Sequence, residues 1–242
     1  MPAALTPRAR TRRSIAGATL SGVALAMTSR VPRAQSLAGL ASADQVSALR
    51  SALGQGASRA VEQLGRADGF WGNAQVKIPL PDALERVRSP ARLLGLGGQF
   101  DALHVSMNRA AEQAVPQALS LLQSAIRAMS VQDAQAILSG GPTAATDYFR
   151  KASSADLQAL FLPVVTRATE KVGLAQQYNA IAERGASLGV VDAKQARLEP
   201  WVTGRALDGL FLMIGEEEKK IRANPAGAAT DVARRVFGAI GR

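Results

Sequence analysis

Apolar residues recur at intervals of three and four along most of this chain, the spacing that gathers them on one face of an α-helix. The first such segment is 42–64. Val46, Leu49, Leu53, Ala57, Ala60 and Leu64 share a face there, Ser42 stands in the capping position, and Gly65 marks the end. Residues 66–82 abandon the pattern. Glycines and Asn73 mark turns, and Val76 to Pro81 must be extended around its two prolines. Pro81 suits the first turn of a helix running to Leu94, interrupted at Ser89-Pro90. A long helix over 99–129 carries Phe100, Leu103, Met107, Ala110 and Ala114 on one face, and Pro116 should kink or split it. Ser130 and Asp133 form a capping-box pair for a short helix to Ser139, stopped by Gly140-Gly141-Pro142. Thr143 to Lys151 reads as one or two helical turns. Ser153 with Asp156 then opens a further helix, kinked near Pro163. Residues 174–184 are helical and 185–199 form a loop. Glu199-Pro200 begins the most regular helix, which Asn224-Pro225 ends, and a last short helix covers 229–240. No internal repeat is present, and no segment is more strand-like than 76–80. The pattern predicts an all-α protein: a single irregular bundle of about seven to nine helices, several kinked by proline, with one long extended loop near 65–81.

Composition agrees with that and narrows the chemistry. Alanine, leucine, glutamine, arginine and glutamate are strong helix formers. There is no cysteine, which excludes disulfides, a thiolate metal site and a cysteine nucleophile. The single histidine, His104, leaves little room for a zinc site or a Ser-His-Asp triad. It also denies the chain a di-iron bundle, which needs Glu-x-x-His on two helices. No P-loop, strand-linked GxGxxG, EF-hand or GxSxG pattern occurs. No cofactor and no metal are expected.

The charge is unevenly spread. The chain has 29 basic and 19 acidic residues, net +10. Six of the basic residues and none of the acidic ones fall in the first 36, which leaves 23 against 19, net +4. Arg8, Arg10, Arg12 and Arg13 precede an uncharged stretch from Ser14 to Ser29, and Ala34-Gln35-Ser36 satisfies the small-x-small rule for cleavage. A basic start, a short apolar run and a small-residue site describe an export signal. The pair Arg12-Arg13 resembles a twin-arginine signal, although only Ile15-Ala16 supplies the hydrophobic pair expected behind it. The expected organisation is a signal peptide over 1–36 and one helical domain over 37–242, located in the periplasm. A membrane-spanning helix needs about 20 apolar residues, and no segment after the leader supplies them. The remaining cations are dispersed among carboxylates, so nucleic-acid binding is not expected.

Several polar groups border apolar stripes. Turning 100° per residue, Leu207, Leu210, Phe211, Ile214 and Ile221 align on the 200–223 helix, with Glu217 and Glu218 about 60° and 40° from Ile214 at the margins. One of these carboxylates should face a partly buried space and need a partner. Glu216 with Lys220, and Glu218 with Arg222, are spaced for surface ion pairs. Asn108 borders the stripe of the 99–129 helix, while Arg109 and Glu112 lie off it and are spaced for a local pair. Asp147 is placed to pair with Arg150 or Lys151, beside Tyr148. Phe70 and Trp71 spend two of only ten aromatics in the non-helical segment, with Trp71 expected to cap the core.

Asp68-Gly69-Phe70, the Val76 to Pro81 run, Met107 to Glu112, Ala144 to Arg150, Val202 to Phe211 and Glu216 to Arg222 together resemble an uncharacterised family of exported bacterial proteins, the domain of unknown function 4197 family. The likeness covers about residues 40–240. In the Val202 to Phe211 run, Arg205 stands where the family more often carries lysine, and His104 stands where relatives tend to carry an acidic residue. The resemblance implies an all-helical exported domain and carries no activity with it.

The leading functional reading is a non-enzymatic periplasmic binding module, holding an apolar or amphipathic small molecule or a partner helix between kinked helices. Asn108, Arg109, Tyr148, Arg150, Glu217 and Glu218 are its candidate ligand-binding residues. The alternative is a hydrolase or lyase using Glu217 or Glu218 as general base, with Arg109 or Arg150 holding an anion. A third reading is a structural envelope protein. Convergence of Glu217, Glu218, Asn108 and Tyr148 on one concave pocket would favour binding or catalysis.

Overall fold

In a computed structural model of the chain, residues 42–189 and 192–224 are described. They form eight α-helices: α1 (Ser42–Gly65), α2 (Asp82–Leu93), α3 (Gly97–Ala114), α4 (Ala118–Ala128), α5 (Val131–Ser139), α6 (Ala144–Thr169), α7 (Gly173–Ser187) and α8 (Leu198–Ala223). No strand occurs among the described residues. The export signal and the short helix expected at 229–240 lie outside them. No described helix is long and apolar enough to cross a membrane.

Most boundaries follow local chemistry. Pro116 lacks the N–H that would continue α3, and a 3-10 turn at Val115–Gln117 separates α3 from α4. The capping box forms as its residue types dictate. The Asp133 N–H donates to Ser130 Oγ at 3.0 Å and the Ser130 N–H returns to Asp133 Oδ2 at 2.9 Å. That backbone donor holds the Asp133 carboxyl below its ordinary pKa.

Three expectations need correction. Helix α2 runs unbroken through Pro90, which lies in its last turn and forgoes only its own bond to the Arg86 carbonyl. The two segments read on either side of Ser153 are one helix, α6. Ser153 is buried and donates its hydroxyl to Phe149 O at 2.7 Å, so it bonds back into the helix rather than capping a new one. Helix α7 extends to Ser187, and a 3-10 turn at Ala193–Gln195 follows in the segment read as loop.

Helix α8 is the centre. It packs against α6 and α1, while α3 packs chiefly against α6 and α4 against both α1 and α6. The buried apolar side chains form one core. Phe70, rather than Trp71, plugs that core: it is fully buried from the 66–81 segment, whereas Trp71 is partly exposed. The ring needs Gly209 of α8, where a Cβ would lie 2.8 Å from Phe70 Cε1 and 3.2 Å from Val76 Cβ. Gly204, five residues earlier and on a different face, meets open space. Gly204→Ala is therefore expected to raise stability by up to about 1 kcal/mol through helix propensity. Gly209→Ala should lower it, because overpacking costs about 1–3 kcal/mol and outweighs the same gain. Paired thermal melts check this, and a rise for both variants would refute the tight Phe70 contact.

Candidate functional site

Glu218 is the most connected carboxylate among the described residues. It lies on α8 with its side chain only 2% exposed, beside Arg222 at 12%. Helix α6 starts at Ala144, and its N-cap Thr143 makes no side-chain capping bond. Glu218 supplies the missing acceptors from 72–73 residues away. The N–H of Ala145 donates to Oε1 at 3.0 Å, and the N–H and hydroxyl of Thr146 donate to Oε2 at 2.9 and 2.8 Å. A carboxylate there also complements the positive end of the helix dipole. Arg222 completes the set, donating Nε and Nη2 to Oε1 at 3.1 and 2.8 Å. The same Nη2 reaches Ile137 O at 2.8 Å, near the end of α5. The pair thus ties the end of α5 and the start of α6 to α8. It is a buried junction, not the surface pair that its spacing suggested.

Glu217 is buried toward α1, with Lys220 at 2.7 Å and Arg59 at 3.8 Å. Glu216 pairs with Lys219 at 2.9 Å rather than with Lys220.

A second cluster joins α3 to the 66–81 segment. The Asn108 side chain acts as a strand partner for Ile78: its Oδ1 accepts the Ile78 N–H at 2.8 Å, and its Nδ2 donates to Ile78 O at 3.0 Å and His104 O at 2.9 Å. His104 Nε2 donates to the same Ile78 carbonyl at 2.9 Å, and the ring meets Trp71 edge-on at 4.9 Å. Burial lowers the His104 pKa, against the opposing pull of the Ile78 carbonyl. Glu112, read as solvent-facing, is buried. Its Oε1 accepts the N–H groups of Phe70 and Trp71, both at 3.0 Å. Arg109 bridges Glu112 at 2.7 Å and Asp68 at 2.8 Å. The segment covers the side of α3 that periodicity assigned to water. The only advance sign was its unusual aromatic content.

Tyr148 and Arg150 lie elsewhere. The Tyr148 hydroxyl donates to Ala125 O of α4 at 3.4 Å, and burial raises its pKa. Arg150 meets Asp208 at 3.3 Å and sits 4.7 Å over the Phe211 ring. The six candidate residues therefore fall in separate places: Asn108 and Arg109 at the 66–81 segment, Tyr148 at α4, Arg150 at mid-α8, Glu217 toward α1, and Glu218 at the α5–α6 junction. No group of three or more His, Asp or Glu that could hold a metal occurs among the described residues.

The concave apolar feature lies where no candidate was named. Ala83, Leu84 and Val87 of α2 face Leu174, Tyr178, Ile181 and Ala182 of α7 across a groove of about 370 Å³, with Phe100 of α3 in its lining. Gln177 is the one amide bordering it, and the Tyr178 hydroxyl is committed to Gln195 O. The signal was present as helical spacing, in 83, 84 and 87 and again in 174, 178 and 181. Which two helices leave a gap between them is a tertiary matter.

The sequence pattern of the family described as Protein of unknown function (DUF4197) matches residues 39–238, and the chain belongs to that family. No curated protein and no solved structure matches it.

Proposed function

We propose that the protein is a non-enzymatic binding module, exported to the periplasm, that holds an apolar or amphipathic ligand between α2 and α7. The observation that carries this reading is the groove itself. Its volume of about 370 Å³ falls in the range of ligand sites, roughly 300–1,000 Å³. Its walls are almost wholly hydrocarbon, so burial of apolar surface would drive binding. The polar candidates support it from the other side. Glu218 and Asn108 spend their side-chain polar atoms on backbone, Thr146 and Arg222 partners within the fold. A hydrolase or lyase using Glu218 would have to break that set. The acid-free arginine-rich leader supports export.

Native mass spectrometry of the protein purified from periplasm tests both parts. The intact mass is expected to correspond to a chain beginning near Leu37, with a non-covalent ligand retained. Val87→Asp, at an exposed groove position that tolerates the change, should weaken retention about tenfold or more by placing a charge against the ligand. A full-length mass would refute export with cleavage. Absence of ligand from the parent, or equal retention in the variant, would refute the groove.

A further inference from the structure

Helix α7 is lightly held. Of its described side chains only Ala175, Tyr178 and Ala182 are buried, and two of the three are alanines. An element with so little buried apolar area lies at the low end of local stability. Its polar ties gather on one side. Asn179 Nδ2 donates to Glu199 Oε1 at 2.8 Å, and its Oδ1 accepts the Leu198 N–H at 2.9 Å. Glu183 meets Arg197 at 3.5 Å, and the Tyr178 hydroxyl donates to Gln195 O. All these partners lie within residues 195–199, at the entry to α8. Asn179 and Glu183 share one face of α7, whereas Leu174 and Ile181 share another, which lines the groove. The helix thus hangs by one edge and presents the other as a wall. Glycines stand at its ends: Gly173 opens it, and Gly189 follows it at φ +73°. Residues at the ends of an element are where a hinge absorbs rotation.

One residue joins this wall to the facing one. Helix α2 opens at Asp82, behind Pro81, whose side chain makes no capping bond. Gln195 supplies the acceptor from 113 residues away: its Oε1 takes the Asp82 N–H at 3.2 Å, and its Nε2 donates to Asp82 Oδ2 at 3.1 Å. The main-chain oxygen of the same residue holds the Tyr178 hydroxyl. The side chain of Gln195 therefore grips α2 while its main chain grips α7. The three groups are close together. Burial raises the Tyr178 pKa, and the charge of Asp82 adds to the rise. Both bonds to Asp82 are exposed, so water competes for them and they can break without leaving a buried group unpaired.

We propose that α2 and α7 part to admit ligand to the groove, with α7 as the hinged wall and Gln195 as the clasp that holds the two together. An apolar ligand gains most when hydrocarbon closes over it, yet it enters only when the walls separate. The clasp meets both demands. It is polar, neither Asp82 nor Gln195 belongs to the groove lining, and opening it exposes little of the core. The inference rests on the groove as ligand site for its consequence, though not for the motion itself.

The absence of cysteine permits a direct test on the full chain. Val87 and Ile181 are exposed, one on each wall. Nitroxide labels on a Val87→Cys/Ile181→Cys pair, read by double electron–electron resonance, are expected to give one narrow distance with the clasp intact. Gln195→Ala keeps the main-chain grip on Tyr178 and removes the grip on Asp82, so a longer and broader population should appear while the melt stays like the parent's. Gln195→Glu, which sets a carboxylate against Asp82, should lengthen it further. The exchange Asp82→Asn/Gln195→Glu restores a donor facing an acceptor and should return the narrow distance. On unlabelled protein, N-phenyl-1-naphthylamine should leave Gln195→Ala about tenfold faster than the parent, the scale set by losing two hydrogen bonds. Parent-like distances in both single variants, or no rescue by the exchange, would overturn the clasp. Unchanged release of the dye from a chain whose walls have parted would overturn its role in admitting ligand. Parted walls in a chain that binds no dye at all would uphold the hinge and refute the groove, so the two readings fail separately.

Discussion

Glu218→Ala is expected to cost about 3–5 kcal/mol of stability, the range for removing one partner of a buried ion pair. Three effects combine. The first-turn N–H groups of Ala145 and Thr146 lose their acceptors, and unsatisfied buried donors are expensive. Helix α6 loses a favourable charge at its positive end. Arg222, nearly buried, keeps only the Ile137 carbonyl. Arg222→Ala should cost less, because Glu218 would still accept from Ala145 and from both donors of Thr146. Glu217→Ala should cost little, since both its partners are largely exposed. Urea denaturation of the three variants gives the order. If Glu218→Ala left stability intact while abolishing ligand retention, the carboxylate would be held for function rather than for the junction, as strained functional groups are.

Leu210→Ala should cost about 2–5 kcal/mol, from lost burial plus a cavity. Leu210 is fully buried at the middle of α8, where that helix meets the core on more than half its circumference: Gly209, Val202, Ile214 and Phe211 are buried around it. Packed against α6 and α1 together, α8 has little freedom to collapse into the void. Ile214→Ala belongs in the same range. Glu216→Ala, which removes only the partly exposed pair with Lys219, should cost under about 1 kcal/mol. Thermal melts of the three variants suffice, and a near-neutral Leu210→Ala would contradict the central position of α8.

The central stripe of α8 was legible in the sequence because it depends on spacing alone. Leu207, Leu210, Phe211, Ile214 and Ile221 are all buried, as 100° per residue requires. The need of Glu217 or Glu218 for a partner was legible too, since both lie at the stripe's edges. The partners were not. Spacing suggested Arg222 on the surface, while the Ala145 and Thr146 donors come from a different helix. Glu112 fails in the same way: periodicity within α3 points it outward, and a distant segment then covers it.

By itself the sequence determined the all-helical class, the division of α3 from α4 at Pro116, the Ser130–Asp133 capping box and the family. The first three follow from residues within a few positions of one another, where propensity, a missing N–H or a capping side chain acts without help from the rest of the chain, and the family follows from motifs spread along the whole chain taken together. Only the tertiary structure decided that α6 is one helix, that Phe70 rather than Trp71 fills the space above Gly209, that Glu218 caps a helix 72–73 residues away, and that α2 and α7 leave an apolar groove between them. Those outcomes depend on which surfaces meet. A hydrophobic stripe states that a face will be buried, but it does not encode against what.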